Sequence, residues 1–311
     1  MASFDNSNYT LIMLTIFTVP RFFNGRYDLI QRNAILSWLN LSPACEIILL
    51  GDDEGVDEIA KEFNIKHIQG IKKNEFGTPL INDVFEKAQD ISKHDILVYI
   101  NADIILTGDF TRAVERIKEQ SFLMIGQRID LEINEQIDFK KSDWENMLRQ
   151  KIKKEGKLHG LSGIDYFVFS KGTWDKIPPL ALGRTAWDNW FLYKAHSLGI
   201  PLIDATQVVT AIHQKHDYPD NFQTKMRAWK GPEANQNIKL AGGFSHLFTI
   251  RDVDLVLTQK GLKKPKLTIY RFLSFSFRYF ERVNFFTKIF LFPGWLFMVW
   301  WRKTRRYFGN Y

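Results

Sequence analysis

Apolar runs of strand length alternate with amphipathic segments over the first hundred residues. The strand-like runs cover residues 11–17, 46–50, 66–68 and 96–100. The segments between them carry apolar residues at helical spacing and cover residues 27–39, 55–63 and 79–91. Strands that alternate with helices in this way predict a parallel sheet with a ligand crevice at the carboxyl ends of its strands.

The regular alternation ends near Ser121. Short apolar runs follow at residues 122–125 and 166–169, and a charged helix is predicted near residues 143–155. We expect this half of the chain to complete the sheet and to build the site for a second substrate. No internal repeat or low-complexity linker interrupts it.

The composition changes abruptly at Lys263-Lys264-Pro265, which predicts a catalytic domain over residues 1–262 and a separate tail over residues 263–311. The tail carries eleven Lys and Arg residues against one acid, Glu281, whereas the whole chain has a net charge of +7. The first 262 residues are therefore slightly acidic, as in an ordinary soluble domain, and the basicity belongs to the tail.

The chain has one cysteine, Cys45, in a run that is predicted to be a buried strand. A single cysteine excludes a disulfide framework or a cysteine metal cluster within one chain, and it favours a cytoplasmic or cytoplasm-facing location. The apolar stretch at residues 11–19 has no basic leader and no small-residue cleavage pattern, so we interpret it as a core strand rather than a secretory signal.

The most informative motif follows the strand at residues 96–100, which runs directly into Asn101-Ala102-Asp103. A carboxylate at the exit of a buried strand is costly unless a cation meets it. Mg²⁺ or Mn²⁺ would meet it, since these ions favour oxygen ligands and share their coordination shell with substrate phosphates. The alternative is an Asn/Asp turn that only terminates the strand.

With this motif the chain resembles the GT-A superfamily of glycosyltransferases over roughly residues 9–217. The family signature is D-x-D after a core strand, and this sequence has N-A-D. The resemblance implies a Rossmann-like α/β fold with a mostly parallel central sheet, flanking helices and a nucleotide-diphosphate sugar as the donor. Asp103 would then be the direct metal ligand, and Asn101 would contact the donor's ribose or a metal-bound water.

Polar residues around the first two strands fall where the family binds its donor. Thr15, Thr18 and Arg21 offer hydroxyl groups and a fixed cation suited to a diphosphate. Asp52 and Asp53 follow the second strand, where acids of similar enzymes contact the base or the ribose. The alternatives are a polar strand–helix loop and an acidic turn that caps the next helix.

Two further residues are assigned by their position in the resemblance. Asp165 follows the glycine-rich stretch at residues 160–163, which would form the floor for the donor sugar and the acceptor, and Asp165 would bind sugar hydroxyl groups. Arg184 would clamp a phosphate. A glycine-rich turn and a surface arginine are the simpler interpretations of these two.

Asp188 lies at the start of a predicted amphipathic helix, between Trp187 and Trp190. Inverting GT-A enzymes carry an acid at such a helix start, and it acts as the general base that deprotonates the acceptor hydroxyl. Aromatic neighbours exclude water and raise the pKa of a carboxylate toward a useful range. The alternative is an N-cap aspartate beside two core tryptophans.

A strand that ends at Ile212 runs into His213 and His216, with Lys215 between them. Many GT-A enzymes complete the metal site with a histidine from this loop, because neutral imidazole is a good ligand for ions such as Mn²⁺. His213, nearest the strand end, is the first choice and His216 the alternate. Lys215 would steady the departing diphosphate.

Residues 266–311 combine many aromatic residues with clustered arginines. The longest uncharged run, residues 289–301, contains Pro293-Gly294 and is shorter than the roughly 20 apolar residues that cross a bilayer. We therefore predict an amphipathic helical tail that lies on an anionic membrane surface, with its tryptophans at headgroup depth. A tail that folds back onto the catalytic domain, or that dimerises, is the alternative; the run is too apolar for nucleic acid.

Membrane attachment fits an acceptor that is a glycan or a lipid-linked glycan, as the resemblance to bacterial polysaccharide enzymes implies, with the enzyme peripheral on the cytoplasmic face. Two other functions compete with this interpretation. A sugar-nucleotidyltransferase has a related fold, but residues 18–26 lack its glycine-rich phosphate loop. A non-catalytic, membrane-bound carbohydrate-binding protein with a degenerate site would explain Asn101 in place of aspartate.

Overall fold

The structure is a computed structural model that describes residues 12–216 and 229–268, together with residues 271, 293, 294, 296, 297, 300 and 304. Strands and helices alternate through the first half of the chain. In chain order they are β1 (Leu14–Thr18), α1 (Gly25–Leu39), β2 (Glu46–Leu50), α2 (Val56–Glu62), β3 (Lys66–Ile68), α3 (Ile81–Ile91), β4 (Ile96–Ile100), β5 (Ile104–Leu106) and α4 (Asp109–Glu115).

The second half contains shorter strands and three further α-helices among the described residues. They are β6 (Leu123–Ile125), β7 (Ile129–Leu131), α5 (Trp144–Glu155), β8 (Lys157–Leu158), β9 (Tyr166–Ser170), α6 (Trp187–Ser197), β10 (Leu202–Asp204), β11 (Ala211–Gln214), α7 (Pro232–Leu240), β12 (Leu255–Thr258) and β13 (Gly261–Lys263). Two short 3₁₀ turns, Phe244–His246 and Ile250–Asp252, separate α7 from β12.

Nine strands form one central sheet in the order β13-β12-β10-β6-β9-β4-β1-β2-β3. Neighbouring strands in this sheet are parallel, with two exceptions. β9 is antiparallel to both β4 and β6, and β13 is antiparallel to β12 at the edge of the sheet. The predicted fold class, a Rossmann-like α/β fold with a mostly parallel sheet and flanking helices, is confirmed.

A second sheet of four short strands, in the order β5-β11-β7-β8, adjoins the carboxyl end of β4. β5 begins at the residue after Asp103, and it pairs with β11 in an antiparallel register that sets Ile104 opposite His213. β7 pairs with the other side of β11. This small sheet therefore connects the end of β4 to the strand that carries the predicted histidine ligand.

The core lies on both faces of the central sheet. Alternate residues of a strand point to opposite faces, so Ile16 packs into the cluster with α1 and α4, whereas Phe17 packs into the cluster with α3 and α6. Phe85 of α3 is fully buried in the second cluster and stacks on Phe191 with ring centroids 4.6 Å apart. The Phe85 ring also stacks on the ring of Tyr99 in β4, with centroids 5.4 Å apart, so this packing stabilises the carboxyl end of β4.

Several predicted and observed element boundaries differ by a few residues. β1 begins at Leu14 rather than at residue 11. α3 begins at Ile81 rather than at Pro79, because Pro79 and Leu80 form isolated β-bridges with Lys73 and Ala181. The predicted domain boundary after residue 262 falls within β13, whose Lys263 pairs with Val256.

Within the described residues, the helices are all too short or too polar to span a bilayer. The predicted amphipathic tail falls on residues 266–311, most of which lie outside the described part of the chain, so it stays a prediction. The described tail residues Leu267, Phe297 and Trp300 expose 81%, 46% and 58% of their surface.

We expect Phe85→Ala to lower the free energy of unfolding by about 3–5 kcal/mol, because it removes a fully buried ring and leaves a cavity among four aromatic neighbours. The matched control is Phe76→Ala, since Phe76 is 46% exposed; we expect a change within about 0.5 kcal/mol. Urea denaturation followed by circular dichroism measures both. Equal losses for the two variants would contradict the assignment of this aromatic cluster to the core.

Candidate metal centre

The predicted metal ligands Asp103, His213 and His216 lie together at the carboxyl end of β4. Oδ2 of Asp103 is 3.4 Å from Nε2 of His213 and 3.2 Å from Nε2 of His216. One ligand atom from each residue lies within 4.8 Å of the others. The sequence analysis preferred His213 to His216 as the metal ligand, but in the structure both histidines face the same carboxylate.

Strand pairing brings these residues together. Asp103 occupies the turn between β4 and β5, and its carbonyl oxygen accepts a hydrogen bond from the backbone N–H of Gln214 at 3.3 Å. His213 lies inside β11 rather than in the loop after it, and His216 follows two residues beyond the strand end. Side chains alternate along a strand, so His213 faces the carboxylate while the Gln214 side chain faces α1, where it donates to the carbonyl oxygen of Ile30.

The chemistry of this cluster fits a divalent cation. Oδ1 of Asp103 is buried and has no hydrogen-bond partner among the described residues. Burial opposes the charge on Asp103, but His213 and His216 hold the pKa of that carboxyl well below its usual range. Burial lowers the pKa of His213, but Asp103 and Asp130 outweigh that effect and raise it to about 9. The carboxylate thus depends on positive charge beside it, which a metal ion would also provide.

Asp130 of β7 contacts the ring nitrogen of His213 that does not face Asp103, and the sequence analysis did not identify it. Its carboxylate accepts hydrogen bonds from Nδ1 of His213 at 3.0 Å, Nδ1 of His159 at 2.8 Å and Nε of Arg128 at 3.0 Å. Burial opposes its charge, yet the bonds from the two histidines hold the pKa of Asp130 well below its usual range. The only signal in the sequence was the pair of charged residues that flank Ile129.

Asn101 and Asp165 are bound to each other. Nδ2 of Asn101 donates to Oδ1 of Asp165 at 2.8 Å, and the Asn101 backbone N–H donates to the Asp165 carbonyl oxygen at 2.9 Å. Arg128 donates to the same carboxylate oxygen at 2.7 Å, and Tyr99 donates its hydroxyl to Oδ1 of Asn101 at 3.1 Å. Position 101 therefore needs a donor toward Asp165, which asparagine provides and aspartate does not.

The charge of Asp188 acts on the same tyrosine as those of Asp103 and Asp165. The phenol of Tyr99 is fully buried, and both this burial and the charges of Asp103, Asp165 and Asp188 raise the pKa of Tyr99 far above its usual range.

Asp188 is the second residue of α6, and the N-cap position belongs to Ala186. The alternative of an N-cap aspartate is therefore wrong. Ala186 adopts φ +88°, a backbone conformation that is strained for a residue with a side chain and that is often found at functional sites. Trp187 and Trp190 are buried in the core cluster, so the tryptophans hold the start of this helix in place.

The donor residues predicted around β1 separate into two groups. Thr18 ends β1 and has a buried hydroxyl without a partner among the described residues. The guanidinium of Arg21 lies 5.2 Å from the ring of Tyr27, and that ring contacts the edge of His216 at 5.5 Å. Thr15 is different, because it is fully buried within the sheet and donates to Oε2 of Glu46 at 2.7 Å.

The structure gives three other predicted donor residues partners within the protein. Asp52 accepts the backbone N–H of Gly70 at 2.9 and 3.1 Å, which is a turn-stabilising role. Asp53 pairs with Lys73 at 3.5 Å. Arg184 donates to Oε2 of Glu233 at 2.8 Å and to Thr78 at 3.2 Å, so its guanidinium ties α7 to the loop before α3.

Lys215 is exposed and lies between the two histidines. Its backbone N–H donates to Leu131, and its carbonyl oxygen accepts from Arg26 at 2.9 Å. The main chain of residue 215 thus connects β7 with the start of α1, while the ammonium group faces solvent.

No family model and no curated protein sequence matches this chain. Among solved structures, it is similar to residues 1–349 of S. aureus TarS, with 14% sequence identity and a TM-score of 0.41 over 67% of this chain and 59% of that one. It is also similar to a mycobacterial protein, with 11% identity and a TM-score of 0.45 over 75% and 76%. The chain thus spans less than two thirds of the TarS structure. Similarity at this level does not distinguish functions, which rest on the site itself.

We expect Asn101→Asp to lower the free energy of unfolding by about 1–3 kcal/mol, because it sets two buried carboxylates against each other and removes a donor. The double variant Asn101→Asp with Asp165→Asn exchanges donor and acceptor and should recover part of that loss. Denaturant unfolding of the two variants and of Asp165→Asn measures the coupling. Strictly additive effects would show that the Asn101–Asp165 bond does not set the identity of residue 101.

Proposed function

We propose that this chain is a metal-dependent glycosyltransferase that uses a nucleotide-diphosphate sugar. The observation that supports this most directly is the cluster of Asp103, His213 and His216 at the carboxyl end of a parallel strand. Ligands of α/β sheets bind at this edge. Acceptor oxygens of Asp103 and Asp165 are buried there without partners among the described residues, and the charge of Asp188 acts on Tyr99 of the same strand.

Manganese fits the donor set better than magnesium. Magnesium prefers six oxygen ligands, whereas two of the three side chains here offer an imidazole nitrogen. Divalent transition-metal ions such as Mn²⁺ accept this ligand more readily. A manganese ion held by Asp103, His213 and His216 would supply positive charge that stabilises the departing nucleoside diphosphate. The remaining coordination positions would be open to phosphate oxygens.

The protein's own residues would carry out the proton transfer. Asp188 would accept the proton of the acceptor hydroxyl as the acceptor oxygen bonds to the anomeric carbon and the bond from that carbon to the diphosphate breaks. Attack from the face opposite the leaving group inverts the anomer. The remaining buried oxygen of Asp165, Oδ2, would accept a hydrogen bond from a hydroxyl of the donor sugar.

The first loop would hold the nucleotide part of the donor. The Thr18 hydroxyl is buried at the end of β1, and Arg21 lies on the ring of Tyr27, which in turn contacts His216. A cation and a hydroxyl beside the metal ligands suit a diphosphate. The exposed ammonium group of Lys215 would approach the same group from the other side, and Asp52 and Asp53 would contact the base or ribose only if their present partners were displaced.

The acceptor would be a glycan, or a glycan on a lipid, at the cytoplasmic face of a membrane. The basic, aromatic residues 266–311 would bind the anionic surface and place the enzyme beside a lipid-linked acceptor. Binding to a surface confines enzyme and acceptor to two dimensions, which raises their encounter rate.

We expect Asp103→Asn and Asp188→Asn to separate metal-dependent binding from transfer. Asp103→Asn should abolish the manganese-dependent part of nucleoside-diphosphate binding, because it removes a ligand charge. Asp188→Asn should bind the diphosphate and manganese as the unmodified chain does and lose about 10²–10⁴-fold in the transfer rate, the contribution typical of a general base. Calorimetry with uridine and guanosine diphosphate, with and without Mn²⁺, measures binding, and release of nucleoside diphosphate from a donor panel measures transfer.

The matched control is Asp57→Asn, an exposed carboxylate on α2 paired with Lys61. It should change neither measurement. Diphosphate binding that is equally tight with Asn at position 103 would exclude the proposed metal centre. Pyrophosphate as the product would instead identify a nucleotidyltransferase.

We also expect the full-length variant with Arg302, Arg305 and Arg306 replaced by Gln to bind vesicles containing phosphatidylserine about 10²-fold more weakly. Each basic residue near an anionic surface contributes about 1 kcal/mol. Sedimentation with vesicles at low and high salt measures this, and neutral phosphatidylcholine vesicles are the control. Unchanged binding to the anionic vesicles would exclude the electrostatic part of the proposal.

A further inference from the structure

We infer that Asp130 is a positioning residue of the metal centre, which holds His213 with its Nε2 nitrogen facing Asp103. The inference rests on the metal site proposed above and assigns a role to a residue outside the ligand set. The deciding observation is that the two ring nitrogens of His213 face two different carboxylates.

The geometry fixes the orientation of the imidazole. Nδ1 of His213 lies 3.0 Å from Oδ1 of Asp130, and Nε2 lies 3.4 Å from Oδ2 of Asp103. In the parallel pair of β7 and β11, Asp130 and His213 are directly opposite each other, so the contact follows from the strand register. A proton held on Nδ1 by Asp130 leaves the lone pair of Nε2 available to a metal ion.

Asp130 is itself held by two neighbours. Arg128 donates to Oδ1 at 3.0 Å, and Nδ1 of His159 contacts Oδ2 at 2.8 Å, so both carboxylate oxygens have partners. The side chain of Asp130 is 20% exposed, and those of Arg128 and His159 are 16% and 19% exposed. Asp130 is hydrogen-bonded at both carboxylate oxygens and is mostly shielded from solvent, so it cannot turn away from His213 without breaking these bonds.

His159 is held in turn by two hydrogen bonds to residues just before β7, and Gly163 leaves room for its ring. Its backbone N–H donates to the carbonyl oxygen of Arg128 at 2.9 Å, and its own carbonyl oxygen accepts from the side chain of Gln127. A methyl group added at Gly163 would lie 2.6 Å from Cδ2 of the His159 ring. Gly163 therefore leaves the space that the His159 ring occupies, and the chain of contacts runs from Gly163 through His159 and Asp130 to His213.

A carboxylate on the far nitrogen of a metal-bound histidine orients the ring and increases its basicity, and its loss typically lowers metal affinity 10–100-fold. We therefore expect Asp130→Asn, which keeps the shape of the side chain and removes its charge, to bind Mn²⁺ 10–100-fold more weakly. Titration of the full-length protein with MnCl₂, followed by the electron paramagnetic resonance signal of free Mn²⁺, measures the affinity. Glu132→Gln is the control, since Glu132 is an exposed carboxylate two residues along the chain, bonded only to Asn134 among the described residues.

Pulsed electron paramagnetic resonance of bound Mn²⁺ adds a readout that a purely structural role would not change. The unmodified chain and Glu132→Gln should both show coupling to two imidazole nitrogens, and Asp130→Asn should show the contribution of His213 weakened or lost. Unchanged affinity and unchanged nitrogen coupling in Asp130→Asn would overturn the inference. Absence of Mn²⁺ binding by the unmodified chain would overturn the proposed metal centre instead, so the two failures are distinguishable.

A further variant tests the same inference without removing a charge. Gly163→Ala forces the His159 ring to shift, because the added methyl group would lie 2.6 Å from Cδ2 of that ring. We expect Gly163→Ala to bind Mn²⁺ several-fold more weakly than the unmodified chain and Glu132→Gln, with thermal unfolding confirming that the variant is folded. Mn²⁺ affinity equal to that of the unmodified chain would contradict the role of His159 in holding Asp130.

Discussion

The site depends on one constraint, which is that the buried carboxylate of Asp103 requires positive charge beside it. His213, whose pKa is raised to about 9 by Asp103 and Asp130, provides that charge within the described residues, and a divalent ion would provide more of it. The same requirement continues outward, because His213 lies between Asp103 and Asp130, and Arg128 lies between Asp130 and Asp165. Acids and bases therefore alternate through the site, and each buried charge has an opposite charge as its neighbour.

The fold makes this alternation possible by combining two sheets. The antiparallel strand β9 sets Tyr166 opposite Ile100, and this pairing brings Asp165 against Asn101. The small sheet sets His213 between Asp130 of β7 and the turn that contains Asp103. Because β9 and the turn before β5 both adjoin the end of β4, a displacement of that strand would move Asp103 and Asp165 together. The stacked rings of Phe85 and Tyr99 beneath it oppose such a displacement.

Much of the central sheet was predictable from the sequence, since β2, β3 and β4 have the predicted bounds and since apolar residues make up all of β4 and all of β2 after Glu46. Other short strands, such as β5 and β7, were not, because a period of two cannot be recognised over three residues and, unlike β3, they do not lie between two predicted helices. Asp130 lies on one of them, so its role emerged only from tertiary pairing. Thr15 illustrates a different difficulty. It lies only three residues from Thr18 in the sequence, but in the register of β1 and β2 its hydroxyl meets Glu46 at the amino end of β2.

The departure from D-x-D at Asn101 has a physical explanation that does not require loss of function. A degenerate site would keep the surroundings of the missing carboxylate, namely cations or donors directed at position 101. The Tyr99 hydroxyl does donate to the amide oxygen of Asn101, but the amide nitrogen faces an acceptor, the carboxylate of Asp165, where a carboxylate at position 101 would need a donor. Both polar atoms of the amide are satisfied, and an aspartate would leave one contact repulsive. Asparagine at this position is thus matched to Asp165, and the candidate metal ligands are Asp103 two residues further on, His213 of β11 and His216.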